Sequence, residues 1–107
     1  MRRAKEKNFE NRLKRWLKEN RAWYCKYHGD AYSTAGIPDL LVCMRGKFAG
    51  VEVKAEDGEP TELQLWTIDR IREAGGKAVI LYPSAFDEFK EWALSGFKGE
   101  KPRIMKR

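Results

Sequence analysis

Asp39, Glu52 and Lys54 are the residues of this chain whose types and spacing suit a chemical step. Asp39 follows Gly36-Ile37-Pro38 and opens an apolar run, and Glu52 and Lys54 stand two apart in a second run. On a strand that spacing puts both side chains on one face and turns Val51 and Val53 to the other. If residues 39–44 and 48–55 form a hairpin around Gly46, Asp39 comes to lie beside Glu52 and Lys54 at one end of a sheet. Two carboxylates held together suit a hard dication such as Mg2+ or Mn2+, which takes oxygen ligands. Such an ion makes water nucleophilic at neutral pH and offsets the charge that develops on a phosphoryl oxygen. A lysine beside it orients the water or stabilises that charge. Phosphodiester hydrolysis is the reaction that needs all of these parts.

Each residue also has a plainer reading. Asp after Pro is common in turns, so Asp39 alone divides evenly between a turn carboxylate and a ligand. Glu52 and Lys54 could be an exposed same-face ion pair worth about 0.5 kcal/mol. Their apolar neighbours argue for burial, where a bare pair is costly, and so favour a site. Lys26 and Ser33 flank the loop that leads to Asp39 and suit either substrate phosphate or solvent.

The elements that must position these groups follow from periodicity. Phe9, Leu13, Trp16 and Leu17 form one apolar stripe, which predicts a helix over about 4–20 with a lysine- and arginine-rich outer face. Residues 22–27 read as a strand, 28–38 as a loop, and 39–44 and 48–55 as strands joined at Arg45-Gly46-Lys47. Thr61 is placed to cap a helix over 62–74 that ends at Gly75-Gly76. Residues 77–82 form a fourth strand, and Ser84 is placed to cap a last helix over 85–95. The fold expected is α/β, with a mixed sheet, helices on its faces and the order α-β-β-β-α-β-α. One domain over 1–96 is followed by a basic tail, 97–107, expected to be mobile or ordered by a partner.

Gly36-Ile37-Pro38-Asp39, then twelve residues, then Glu52-Val53-Lys54, resembles the PD-(D/E)xK nuclease superfamily. In detail the chain is similar to its VRR-NUC branch (virus-type replication-repair nuclease), in the short stand-alone form of phages and prophages. The similarity runs over about residues 5–82. It implies a restriction-endonuclease-like αβββαβ core with a C-terminal helix. It implies Mg2+ or Mn2+ held by Asp39, Glu52, the Val53 carbonyl and water. It places the first-helix acid on Glu10 as a direct or water-mediated ligand, and a site-supporting glutamine on Gln64. It also implies a metal-dependent DNA endonuclease, homodimeric, acting on branched DNA as Holliday-junction resolvases do, in a bacterial cytoplasm, with no organic cofactor. Without the resemblance, Glu10 reads as a solvated helix acid, with Glu6 one turn earlier a weaker candidate ligand. Gln64 reads equally as a capping residue.

Charge and composition bound the partners. The chain has 107 residues, 36% of them charged and 42% hydrophobic, with a net charge of +6. Residues 1–28 carry a balance of +7 and residues 97–107 one of +4, leaving −5 in the centre. Basic ends suit a polyanion, and an acidic centre opposes it unless a cation intervenes. No apolar run approaches a membrane span. Cys25 and Cys43 form no disulfide framework. With His28 they lack a fourth zinc ligand, so they are expected to be buried core residues. Trp16, Trp23, Trp66 and Trp92 are likewise expected in the core. A non-catalytic nucleic-acid-binding module, or a subunit of a phage replication or packaging complex, is the competing function. The acid pair is what argues against pure binding.

Overall fold

The apolar stripe of the first helix has a partner to bury against, and that partnership organises one side of the molecule. The computed structural model describes residues 2–29 and 35–107; Ser33 lies outside the described residues. Helix α1 spans Arg2–Glu19. Phe9, Leu13 and Leu17 are buried. Phe9 and Trp16 meet Phe86 edge-on, at ring separations of 5.3 and 6.4 Å.

Strands β1 (Trp23–Lys26), β2 (Leu40–Met44), β3 (Lys47–Val53), β4 (Lys77–Leu81) and β5 (Ile104–Met105) form a five-stranded sheet in the order β1-β2-β3-β4-β5. The pairings β1–β2 and β2–β3 are antiparallel, and β3–β4 and β4–β5 are parallel. The sheet is therefore mixed, as expected. Helix α2 (Glu62–Glu73) makes the parallel crossover between β3 and β4. Helix α3 (Phe86–Leu94) packs with α1 on one face of the sheet, against Val42, Val51, Val53 and Leu81. Ile68 of α2 covers Ala78 and Ile80 on the other face. Among the described residues no helix is long and apolar enough to cross a membrane.

Three local expectations are corrected. Ser84 does not cap the last helix: a 3-10 turn at Pro83–Ala85 precedes α3, and Ala85 stands at the cap with no side-chain bond. Ser84 instead binds Glu56 through its amide and its hydroxyl, at 3.0 and 2.8 Å. Cys25 is exposed and Cys43 half-buried, both free. Trp23 and Trp66 are 56% exposed, whereas Trp92 is buried. One cause accounts for Cys25, Cys43 and Trp23: α2 covers β4 but leaves the same face of β1 and β2 without a helix.

The last eleven residues are ordered. Phe97 and Met105 are buried in the core, and β5 extends the sheet beside β4. Arg72 reaches the Lys101 carbonyl at 2.6 Å, and Arg103 pairs with Asp69 at 2.7 Å. Two apolar side chains and a parallel edge thus hold a segment whose composition is basic. Met105→Ala should cost about 2–5 kcal/mol in urea unfolding, as for other buried methionines. A loss below about 0.5 kcal/mol would return the segment to the status of a loose tail.

Candidate active site

The β2–β3 hairpin decides where Asp39 stands. Its register pairs Leu40 with Val51; carried one residue further, it sets Asp39 opposite Glu52. Asp39 Oδ2 accepts the Val53 amide at 3.0 Å, and the Asp39 carbonyl accepts the Tyr27 amide at 2.8 Å. The residue is therefore tied to both neighbouring strands before any ligand arrives.

The loop that delivers Asp39 is held by close approach. Gly36 has φ +81°, and a Cβ there would lie 2.8 Å from Leu63 Cγ and 2.9 Å from Thr67 Oγ1 of α2. Only glycine fits both the backbone and the space. Gly50 of β3 leaves room for Pro38, whose ring carbon would lie 3.1 Å from an added Cβ. Gly36-Ile37-Pro38 is thus wedged between α2 and the sheet. Sequence reading singled out Gly36 but not Gly50; a glycine inside an otherwise regular strand is the signal that was present.

Glu52 is 3% exposed. Burial, then the adjacent Asp39 carboxylate, push its carboxyl up to about 9, with Lys54 opposing. Lys54 Nζ lies 4.0 Å from Glu52 Oε2. Gln64 Nε2 donates to the same oxygen at 3.1 Å. Thr61 caps α2 as expected. Its hydroxyl accepts the Gln64 amide at 3.1 Å, while Gln64 Oε1 accepts the Thr61 amide at 2.9 Å. Gln64 therefore serves both readings at once, capping the helix with its oxygen and holding Glu52 with its nitrogen.

Glu10 is surrounded by lysines. Its carboxylate is 4% exposed and faces Lys26 at 2.7 Å, Lys14 at 3.0 Å and Lys7 at 3.5 Å. Burial raises this carboxyl, but the hydrogen bonds from Lys26 and Lys14 outweigh it and hold the group at about 2. Lys26 also lies 3.5 Å from Asp39 Oδ1. Burial opposes the Lys26 charge, and Glu10 and Asp39 more than restore it, raising the ammonium above its usual range. The helix acid that feels Asp39 and Lys54 is Glu6. Its carboxyl is raised by burial, with Lys54 opposing and Asp39 adding.

Asp39, Glu52, Lys54, Val53 and Gln64 are thus brought together, with Glu6 and Lys26 alongside. Among the described residues no group of three His, Cys, Asp or Glu side chains forms a ready-made metal cage. The pair still suits Mg2+, which commonly takes one or two carboxylates and completes its shell with water and phosphate oxygens. Burial and the adjacent Asp39 carboxylate keep the Glu52 proton on up to about 9.

Comparison with protein families, with curated proteins and with solved structures finds no match for this chain.

The Glu52 shift sets a pH dependence. Its folded value of about 9 lies above the ordinary 4.5. The stability that protonated Glu52 contributes is full below the unfolded value and is lost as pH rises toward the folded one. In EDTA, the melting temperature should therefore fall between about pH 5 and pH 9, and Glu52→Gln should flatten that fall. An unchanged slope in the Gln variant would mean that Glu52 is ionised in the metal-free fold.

Proposed function

We propose that this chain is a Mg2+- or Mn2+-dependent endodeoxyribonuclease that hydrolyses phosphodiester bonds, selective for branched DNA. The observation that carries the reading is the opposed Asp39–Glu52 pair at a sheet end, Glu52 buried and Asp39 half-buried, with Lys54 beside it. A structural protein gains nothing from burying one carboxylate against another, since each disfavours the other's charge. The similarity of Gly36-Ile37-Pro38-Asp39 and Glu52-Val53-Lys54 to VRR-NUC nucleases gives the pair its substrate.

In this reading Asp39, Glu52 and the Val53 carbonyl hold the ion, and Gln64 fixes the Glu52 carboxylate in place. A bound dication supplies the charge that makes water acidic and offsets the developing oxyanion. The Val53 amide keeps Asp39 from turning away. Lys54 presents an ammonium to the phosphoryl oxygens or to the attacking water. Binding at the pair displaces the Glu52 proton, so metal affinity rises with pH up to about the value at which that proton leaves.

The proposal includes a homodimer. Trp23 and Phe48 stand 56% and 65% exposed on the open face of β1–β3, edge-on to one another at 6.4 Å, with Leu41 between their strands. A two-fold related copy would cover this patch and supply the second cut that a junction requires.

Purified protein should cut a four-way DNA junction with Mn2+ or Mg2+ and not with EDTA. Asp39→Asn and Lys54→Ala should each lower the rate by about a hundredfold or more. Full cleavage by either variant would remove the assignment, and cutting in EDTA would remove the metal. In sedimentation, wild type should run as a dimer and Phe48→Asp as a monomer; a wild-type monomer would end the homodimer.

A further inference from the structure

One buried carboxylate needs one counter-charge, yet Glu10 has three. Lys26, Lys14 and Lys7 approach it at 2.7, 3.0 and 3.5 Å. Lys26 also touches Asp39, so the three ammonium groups exceed these two acids by one positive charge, around an acid with almost no solvent exposure. Three ammonium groups at this range also exclude a dication from the same oxygens, because like charges in a partly dry site repel strongly.

The placement of the cluster is as informative as its charge. By register Lys26 pairs with Leu40 and Leu40 with Val51, so Lys26 lies on the α1 side of the sheet, where Glu10 meets it. Its ammonium nonetheless comes within 3.5 Å of Asp39 Oδ1 at the strand end. An anion seated on the lysines therefore borders the acid pair. The side chain of Lys7 is 62% exposed, while those of Lys14 and Lys26 are 22% and 25% exposed. The cluster has an open side and an anchored side. Lysine binds phosphate as a point charge, and a fixed carboxylate that gathers several lysines removes the entropy of gathering them on the ligand.

We infer that Glu10 is a positioning residue that assembles Lys7, Lys14 and Lys26 into a seat for a backbone phosphate of the DNA strand, next to the phosphate that Asp39 and Glu52 address. The seat rests on the proposed function for the identity of the polyanion; the geometry of the cluster does not depend on it. Glu10 then acts through the lysines and not on a metal.

The test measures binding of a fluorescent DNA junction in EDTA over a range of salt, together with the Mn2+-induced rise in melting temperature. Glu10→Gln and the double variant Lys7→Ala, Lys14→Ala should each weaken DNA binding on the order of tenfold, and the double variant should flatten the salt dependence by about two in slope. Both should keep the wild-type Mn2+ shift. Glu10→Gln with unchanged DNA affinity and a lost Mn2+ shift would overturn the inference and make Glu10 a metal ligand. Should Glu10→Gln fail to fold, the double variant decides, because Lys7 is exposed and Lys14 half-buried and neither is in the core. Stabilisation of wild type by millimolar inorganic phosphate, lost in the double variant without any change in DNA affinity, would also overturn it in favour of a free-phosphate site. Protein that binds DNA through the lysines but never cuts would leave the seat standing and remove only the nuclease.

Discussion

Glu52 is a carboxyl group taken out of water and set against a second carboxylate, and the surrounding structure is arranged to hold it there. Each neighbour meets part of the cost. Gln64 donates to one oxygen, and Lys54 stands at 4.0 Å. Asp39 is fixed by the Val53 amide, which keeps it beside Glu52. The capping of α2 is tied to the same residue, because the glutamine that closes the helix start also holds Glu52. Pro38 lies against Gly50, and Gly36 against Leu63 and Thr67. A change at Gly36, Pro38, Gly50 or Gln64 would shift Asp39 or Glu52. In this fold the raised Glu52 carboxyl keeps its proton and shares it with Asp39 in a hydrogen bond.

The sheet separates two charge environments that meet at its end. Asp39, Glu52 and Lys54 belong to the α2 side. Glu10 and its lysines belong to the α1 side, and Lys26 joins the two by touching an acid from each. The tail contributes less free positive charge than its composition suggests. Lys101 pairs with Glu88 and Arg103 with Asp69. The lysine-rich surface beside the acids is thus on α1 and β1, while Lys101 and Arg103 hold the C-terminal segment to its own fold.

Much of this was legible in the sequence wherever the deciding contact was local. The spacing of Glu52 and Lys54, the hairpin around Gly46, the α1 stripe and the Thr61 cap each depend on residues a few positions apart. The surroundings of the helix acids were not legible. Glu6 and Glu10 are four apart and share a face of α1, so which one meets Asp39 depends on how far the helix slides along the sheet. That is set by Phe9, Trp16 and Phe86, which lie on two elements distant in sequence. The tail failed for a related reason. Ile104 and Met105 make a two-residue strand whose pairing with β4 is parallel and non-local, and no local propensity announces it. Cys25, Cys43 and Trp23 look like core residues by type. Their exposure follows from where α2 stops covering the sheet, which is a matter of crossover placement.

The two helix acids explain why such a site can hold many charges without collapsing. Glu10 is kept ionised by lysines, and Glu6 is raised by burial and Asp39, so acids one turn apart experience opposite fields. The division keeps the lysine cluster intact whether or not the acid pair is loaded. Asp39 and Glu10 offset part of the charge of the lysines, and Glu52, raised to about 9, keeps its proton. If the proposed dication neutralised Asp39 and Glu52, the lysines would no longer be offset, and their attraction for a phosphate backbone would rise. Under the proposed function, cation and polyanion binding would then favour each other, through charges fixed in position before either arrives.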